Sequence, residues 1–423
     1  MRIPLRPGEA LAVSLNDEST PGLELCRLSK VQRADHSALE WTPAAIAASE
    51  DAGANLAVRQ SPLVSGIHDV GQRGFAGLPG WLADSLPDSW GRLLVDRQLR
   101  KQGVEPSAIG GVDRLAIVGE RGPGALCYEP SVVLEEAGLD DERIDLDLIA
   151  EEAEALLTGE APELLDRLAT LGGSAGGSRP KAWIAFDEAT GALRSGATTL
   201  RAGESGWLVK FRAPAHDPED VGPLEFAYAQ MAKRAGLAVA EPRLFETDRG
   251  RYFASRRFDR EDGRRLHVLT ATAFLDVPHD QAMAADYADL IKLTRFLNRS
   301  EVDAEAAFRH ACFNVFACNR DDHLKQYAFV RRGERWCRSP AYDLTFSSGP
   351  GGEHTLLVGG EGRHPGAEEL RRVAEESGIP ASKAKAILEQ VRAAIAAWRD
   401  LASSVDVQRA SIARVASALA KIR

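Results

Sequence analysis

The chain has 423 residues, 44% hydrophobic and 27% charged, the balance of a globular protein and not of a largely disordered one. That length calls for two or three packed units. A net charge of −10 excludes a surface that attracts a phosphate backbone as a whole, so any nucleic-acid contact needs a local basic patch or a basic partner.

The five cysteines, Cys26, Cys127, Cys312, Cys318 and Cys337, are scattered and lack the short paired spacing of a zinc site. They read as buried free thiols in a reducing compartment. Glu9 and Asp17 stand where a signal peptide needs an apolar stretch, and no run approaches the ~18 apolar residues of a membrane span. A cytoplasmic protein is expected.

In chain order, residues 1–130 read as a compact α/β unit. "SLPDSWGRLLVDRQLR" predicts a helix, with Asp88 or Ser89 as cap and Trp90, Leu93, Leu94 and Arg97 at helical spacing. "RLAIVGERGPGALCY" predicts two strands around a Gly/Pro turn. The acidic stretch from Glu135 to Glu163 predicts a helical connector with a solvated charged face. "LGGSAGGSRPKAWIAF" is a Gly/Ser loop feeding a strand, and "GWLVKF" is a second strand. A helix from Leu224, a strand at "RYFASRRF" and a mostly helical remainder follow, with Ile387, Val391, Ile395 and Trp398 on one stripe.

The glycine loop offers backbone amides to a phosphate, but it fails both the Walker and the dinucleotide patterns. A flexible linker is an equal alternative until Lys181 and the immediate strand are weighed. Lys210 lies in an apolar strand, where an ammonium needs a partner or a charged ligand unless it snorkels at an edge. Glu225, opening the next helix, is a candidate partner. A strand lysine, a helix glutamate and a glycine loop are the parts a kinase uses on nucleotide phosphates.

"NRDDHLKQ" at residues 319–326 follows an apolar helical run in which Phe308, Cys312, Val315 and Phe316 share a face. A kinase catalytic loop sets a base aspartate five positions before a metal-binding amide, the spacing of Asp321 and Gln326. A strand, "YAFV", leads towards Asp343, a second candidate metal ligand with the hard oxygens magnesium prefers. Lys325 can offset charge on the transferred group. Asp322 is an alternative base, and His323, with no second histidine at ligand spacing, reads as an orienting or nucleotide-contacting group.

Taken together and in order, "SLPDSWGRLLVDR", "AIVGERGPGAL", "GGSAGGSRPKA", "WLVKF", "FASRRFDR", "NRDDHLKQ" and "SPAYDL" resemble the HipA family of toxin serine/threonine kinases over roughly residues 60–400. The resemblance implies an α+β, protein-kinase-like bilobal fold. Its parts would be an extra amino-terminal subdomain at 1–130, a connector at 131–170, a nucleotide-loop lobe at 171–260 and a helical lobe at 261–423. It implies ATP and magnesium as cofactors. Ser174, Ala175, Gly176, Gly177, Ser178 and Lys181 would surround the phosphates, with Ser174 the autophosphorylated serine. Lys210 would bind phosphate, Arg256, Arg257 and Phe258 would form the hinge beside adenine, Asp321 would be the base, and Asp343 and Gln326 the metal ligands.

The family commonly has asparagine where Gln326 stands, and glutamine adds a methylene to a side chain whose reach matters. The implied partners are a HipB-type helix-turn-helix antitoxin, which would carry the DNA contact, and a protein substrate. For the family's best-studied member that substrate is an aminoacyl-tRNA synthetase. Two alternatives stay open: a catalytically weak nucleotide-binding co-regulator acting with a DNA-binding antitoxin, and an unrelated small-molecule kinase.

Overall fold

A computed structural model describes residues 3–422 apart from 7, 32–35, 52–62, 72, 135–142, 160–164, 174–176 and 197–199. Packing divides the chain into two compact units. The first comprises Met1–Ala215, Arg256–Leu269 and Val330–Arg335; the second comprises His216–Ser255, Thr270–Phe329 and Trp336–Arg423. Among the described residues no helix is long and apolar enough to cross a membrane.

The first unit opens on an antiparallel sheet ordered Ile67–Asp69, Ser37–Trp41, Leu23–Lys30, Ala10–Leu15 and Leu126–Glu129. Alternation in Ala10–Leu15 turns Leu11, Val13 and Leu15 inward, all fully buried, as a sheet with one core-facing side requires. Trp41 stacks on Trp81 at 5.7 Å between centroids.

One expectation fails here. The "RLAIV" half of the proposed strand pair is the helix Gly111–Val118, and only Leu126–Glu129 is a strand. Leu115, Ala116, Ile117 and Val118 are all buried, and a short run buried on every side has no period to separate helix from strand. Asp113 settles the matter locally: its carboxylate accepts from Gly110 N, Leu5 N and Lys30 Nζ, closing the first helical turn and tying it to the sheet.

The helix predicted after Asp88 spans Ser89–Lys101 and buries Trp90, Leu94 and Leu99, with Leu93 half-buried. Asp88 occupies the cap position without capping; its carboxylate accepts from the distant Gly177 N at 3.2 Å instead. The acidic connector holds the helix Leu146–Thr158, capped by Asp145 and stopped by left-handed Gly159. Its charged face is not wholly solvated, because Glu152 is buried and pairs with Arg167 at 2.8 Å.

Lys181–Asp187 then pairs antiparallel with both Leu193–Ser195 and Glu204–Lys210. The helix Leu165–Gly172 comes so close to this strand that a Cβ on Gly172 would sit 2.3 Å from Lys181 O, so only glycine fits.

The second unit is mainly helical. Helix Val221–Arg234 packs with the hairpin strand pair Pro242–Glu246 and Arg251–Arg256, registered from Arg251↔Glu246 to Ser255↔Pro242. Helices Ala271–Leu275, Tyr287–Asn298, Glu301–Phe316, Ala367–Glu376, Ala381–Ala396, Trp398–Ser404 and Arg409–Leu419 are the other α-helices among its described residues. The predicted stripe is present, though Ala397 breaks the helix before Trp398. Tyr228 joins these layers, its hydroxyl donating to Ala317 O at 2.8 Å and its ring meeting Trp398 edge-on. The five cysteines are free thiols; Cys26, Cys312 and Cys318 are buried, whereas Cys127 and Cys337 are half-buried.

Candidate active site

The Glu301–Phe316 helix starts on Ser300, which caps Asp303 N, and buries Phe308, Cys312, Val315 and Phe316. Cys318, left-handed at φ +53°, then turns the chain out of the helix. Asn319 forms a parallel bridge with Ser347, and Asp321, Asp322 and His323 follow before a 3-10 turn at Leu324–Gln326. The strand Ala328–Arg332 and its neighbour Arg335–Arg338 carry the chain out and back to Asp343.

At that point two distant sequence positions meet. Gln326 Nε2 donates to Asp343 Oδ2 at 2.8 Å. Asp343 itself sits at φ +55°, a backbone conformation uncommon for a residue with a side chain and characteristic of functional turns. Asp343 carries two carboxylate oxygens and Gln326 one amide oxygen, the hard donor type that magnesium takes.

The paired aspartates have opposite environments. Asp321 is half-exposed, with Oδ1 3.9 Å from His323 Nε2. Asp322 is fully buried, its Oδ2 accepting from Tyr287 Oη and His354 Nδ1, each at 2.7 Å, and its Oδ1 accepting from Thr355 N at 2.7 Å and Leu356 N at 3.4 Å. That leaves neither Asp322 oxygen facing a substrate. His323 Nε2 also lies 3.4 Å from Gln326 Nε2, and the His279 ring packs against the imidazole. Lys325 is half-buried, and its carbonyl accepts from the Tyr342 hydroxyl.

Below the loop lies a polar network that composition and spacing did not reveal. Tyr287 and Tyr327 hydroxyls are 2.8 Å apart, and Asn314 Nδ2 donates to both. Burial, and then the Asp322 charge, hold both phenols well above their ordinary pKa, so they remain protonated. Beside them His310 Nδ1 accepts from Arg338 Nη2 at 2.8 Å; burial and the Arg338 charge push this imidazole well below its ordinary pKa, which keeps it a neutral acceptor. The only sequence signal for these groups was a set of polar residues inside apolar runs.

In the first unit, Lys181 and Lys210 stand directly opposite each other on antiparallel strands, so both side chains leave the same face of the sheet. Gly177, at φ +92°, lets the Lys181 ammonium pass: a Cβ there would lie 2.3 Å from Nζ. Asp88 fixes Gly177 N, and Trp90 N donates to Gly177 O at 3.1 Å while Trp90 Nε1 reaches Lys181 O. The loop's end is therefore anchored to the Ser89–Lys101 helix. Ser178 is exposed, whereas Ser174, Ala175 and Gly176 lie outside the described residues.

Of the expected hinge residues, Arg256 is exposed and Phe258 half-buried. Arg257 is buried, forks onto Asp259 at 2.9 and 2.8 Å, and lays its guanidinium 4.0 Å over Trp183. Its donors are spent inside the unit. Asp259 also takes Arg260 and Gly124 N, which ties the Gly122–Gly124 turn down. In the second unit, Glu225 is buried on the helix Val221–Arg234.

Comparison with known proteins bears on this geometry. The HipA-like C-terminal domain model matches residues 173–398, and the HipA N-terminal domain model matches residues 23–129. The chain belongs to the HipA family. Among solved structures, the HipA of a Shewanella oneidensis MR-1 toxin–antitoxin complex of HipA, HipB and operator DNA shares 18% identity, covering 97% of this chain and 95% of that one at a TM-score of 0.67. The proinflammatory kinase CtkA of Helicobacter pylori is matched at 11% identity over 52% of this chain and 91% of that one, with a TM-score of 0.31. Comparison with curated proteins gives no match. The α+β fold expected from the sequence is thus the one this family member has.

Proposed function

We propose that this HipA-family chain is an ATP- and magnesium-dependent serine/threonine protein kinase. The observation that carries the reading is the convergence on one another of the Asp321 loop and Asp343, joined through Gln326, with Asp321 left accessible and Asp322 buried. Asp321 accepts the proton of the substrate hydroxyl as its oxygen bonds to the γ-phosphorus; the bond to the β,γ-bridging oxygen breaks and ADP leaves. Asp343 and the Gln326 amide oxygen would hold the magnesium ion, which when bound would neutralise phosphate charge. Lys181 and Lys210 bind phosphates, an assignment supported by their register, which sends both side chains off one face of the sheet beside the end of the glycine loop. Lys325 balances charge on the transferred group and His323 orients Asp321.

Ser174 is the self-phosphorylated residue in this reading, with Ser174–Ser178 around the phosphates. The partner is a HipB-type helix-turn-helix antitoxin that supplies the DNA contact, in keeping with a net charge of −10 on this chain and with the composition of the Shewanella complex. A translation component, such as an aminoacyl-tRNA synthetase, is the substrate class.

Labelled ATP with magnesium tests the reading. Wild type should label itself and a protein in a lysate, and Asp321→Ala should lose about 10²–10⁴-fold in rate. Nucleotide binding without any labelling would instead support the co-regulator alternative, whose motive is the glutamine at position 326 where the family commonly has asparagine.

A further inference from the structure

The segment that follows Asp343 is fastened to the Asp321 loop at many points. Ser347 N donates to Cys318 O at 3.0 Å, and Arg320 N donates to Ser347 O at 3.4 Å. Thr355 Oγ1 reaches Arg320 O, and the Arg320 guanidinium donates to Gly352 O. The strongest fastening is buried: the Asp322 carboxylate receives the side chain of His354 and the backbone amides of Thr355 and Leu356. Tyr287 supplies a fourth donor from the neighbouring helix, and Met283 N and Leu357 N complete the far side by bonding to Thr355 O and Ala285 O.

In a protein kinase the segment after the metal aspartate is ordered by an added phosphate that pairs with arginine, including the arginine just before the catalytic aspartate. Arg320 stands at that position here, and one of its donors already bonds a carbonyl of the segment itself. An ionised acceptor with multiple donors does what a phosphate does: it gathers N–H groups from separate stretches.

We infer that the buried Asp322 carboxylate, clasped by His354, holds this segment in its working position without phosphorylation, and that Asp322 and His354 are positioning residues for phosphoryl transfer. The inference rests on the kinase reading. The clasp explains why two adjacent aspartates are needed: one reaches outward to the hydroxyl, and its neighbour fixes the loop from within.

The test uses the full chain with magnesium-ATP and two readouts, self-labelling against ATP concentration and hydrogen exchange of the Thr355 and Leu356 amides. Asp322→Asn keeps the volume but turns a donor towards His354 and Tyr287. Exchange should rise at both amides, and maximal labelling should fall about 100-fold while the half-saturating ATP concentration shifts less than about threefold. His354→Gln, which retains a donor, should recover part of the rate that His354→Ala loses. Phosphatase-treated wild type should label at no less than the untreated initial rate, because removing phosphate from Ser174 restores an acceptor hydroxyl.

Unchanged exchange in Asp322→Asn overturns the clasp. Raised exchange with an undiminished rate overturns the positioning role, and a rate lost on phosphatase treatment overturns independence from phosphorylation. If wild type labels nothing, the kinase reading has failed and amide exchange alone decides the clasp. Should Asp322→Asn not fold, Tyr287→Phe removes one donor and is judged by the same two readouts.

Discussion

Asp321 and Asp322 are chemically identical neighbours, and only their surroundings separate them. A carboxylate buried without partners costs several kcal/mol, on the order of the whole stability of a domain, so Asp322 must be fully bonded where it stands. Asp343 poses a different constraint, because its left-handed backbone penalises most side chains but tolerates asparagine. Asp343→Asn should therefore keep the fold, with a urea midpoint within about 0.5 kcal/mol of wild type. It should also lose magnesium-dependent transfer; a magnesium response equal to wild type would remove Asp343 from the metal site. At this scale the residue types at Asp321, Gln326 and Asp343 could be read from spacing, but the allocation of outward and inward roles could not, since sequence order contains no solvent exposure.

At the level of elements, the site depends on how loops leave helices and strands. Gly349, at φ +72°, lies in the fastened segment, and a Cβ there would sit 1.9 Å from Glu353 O and 2.8 Å from Arg320 Cβ. Gly349→Ala combines that clash with about 1–2 kcal/mol of left-handed strain. The expected result is a lower urea midpoint and slower self-labelling; a wild-type midpoint would show that the turn relaxes freely. Elements with a clear period or an anchored start, such as Ser89–Lys101 and Glu301–Phe316, were legible in advance. Gly111–Val118 was not, because burial on all sides erases the contrast between faces.

Across the whole molecule, stability couples to pH through buried neutral histidines. His267 is buried in the first unit near Asp17 and Arg331, and burial lowers its pKa from an ordinary 6.5 to about 4. Because the folded value lies below the unfolded one, the unfolded chain binds the proton first as pH falls. Stability is then complete above pH ~6.5 and is lost progressively towards pH ~4, by about 3 kcal/mol at most. His267→Gln should flatten urea midpoints over that window, and an equally steep loss in the variant would assign the acid sensitivity elsewhere. His310 in the second unit is shifted in the same direction by burial and Arg338, so part of the slope should persist.

By itself the sequence determined the ordered motifs, their spacing and the family, since glycine loops, strand lysines and paired acids are chosen by local backbone and chemical needs that neighbouring residues reveal. Tertiary structure alone decided which carboxylate is buried, that Gln326 reaches Asp343, that Arg257 turns inward onto Asp259 and that Asp88 serves Gly177 instead of its own helix. Those outcomes depend on desolvation and on contacts between residues far apart in the chain, and neither quantity is a property of any local stretch.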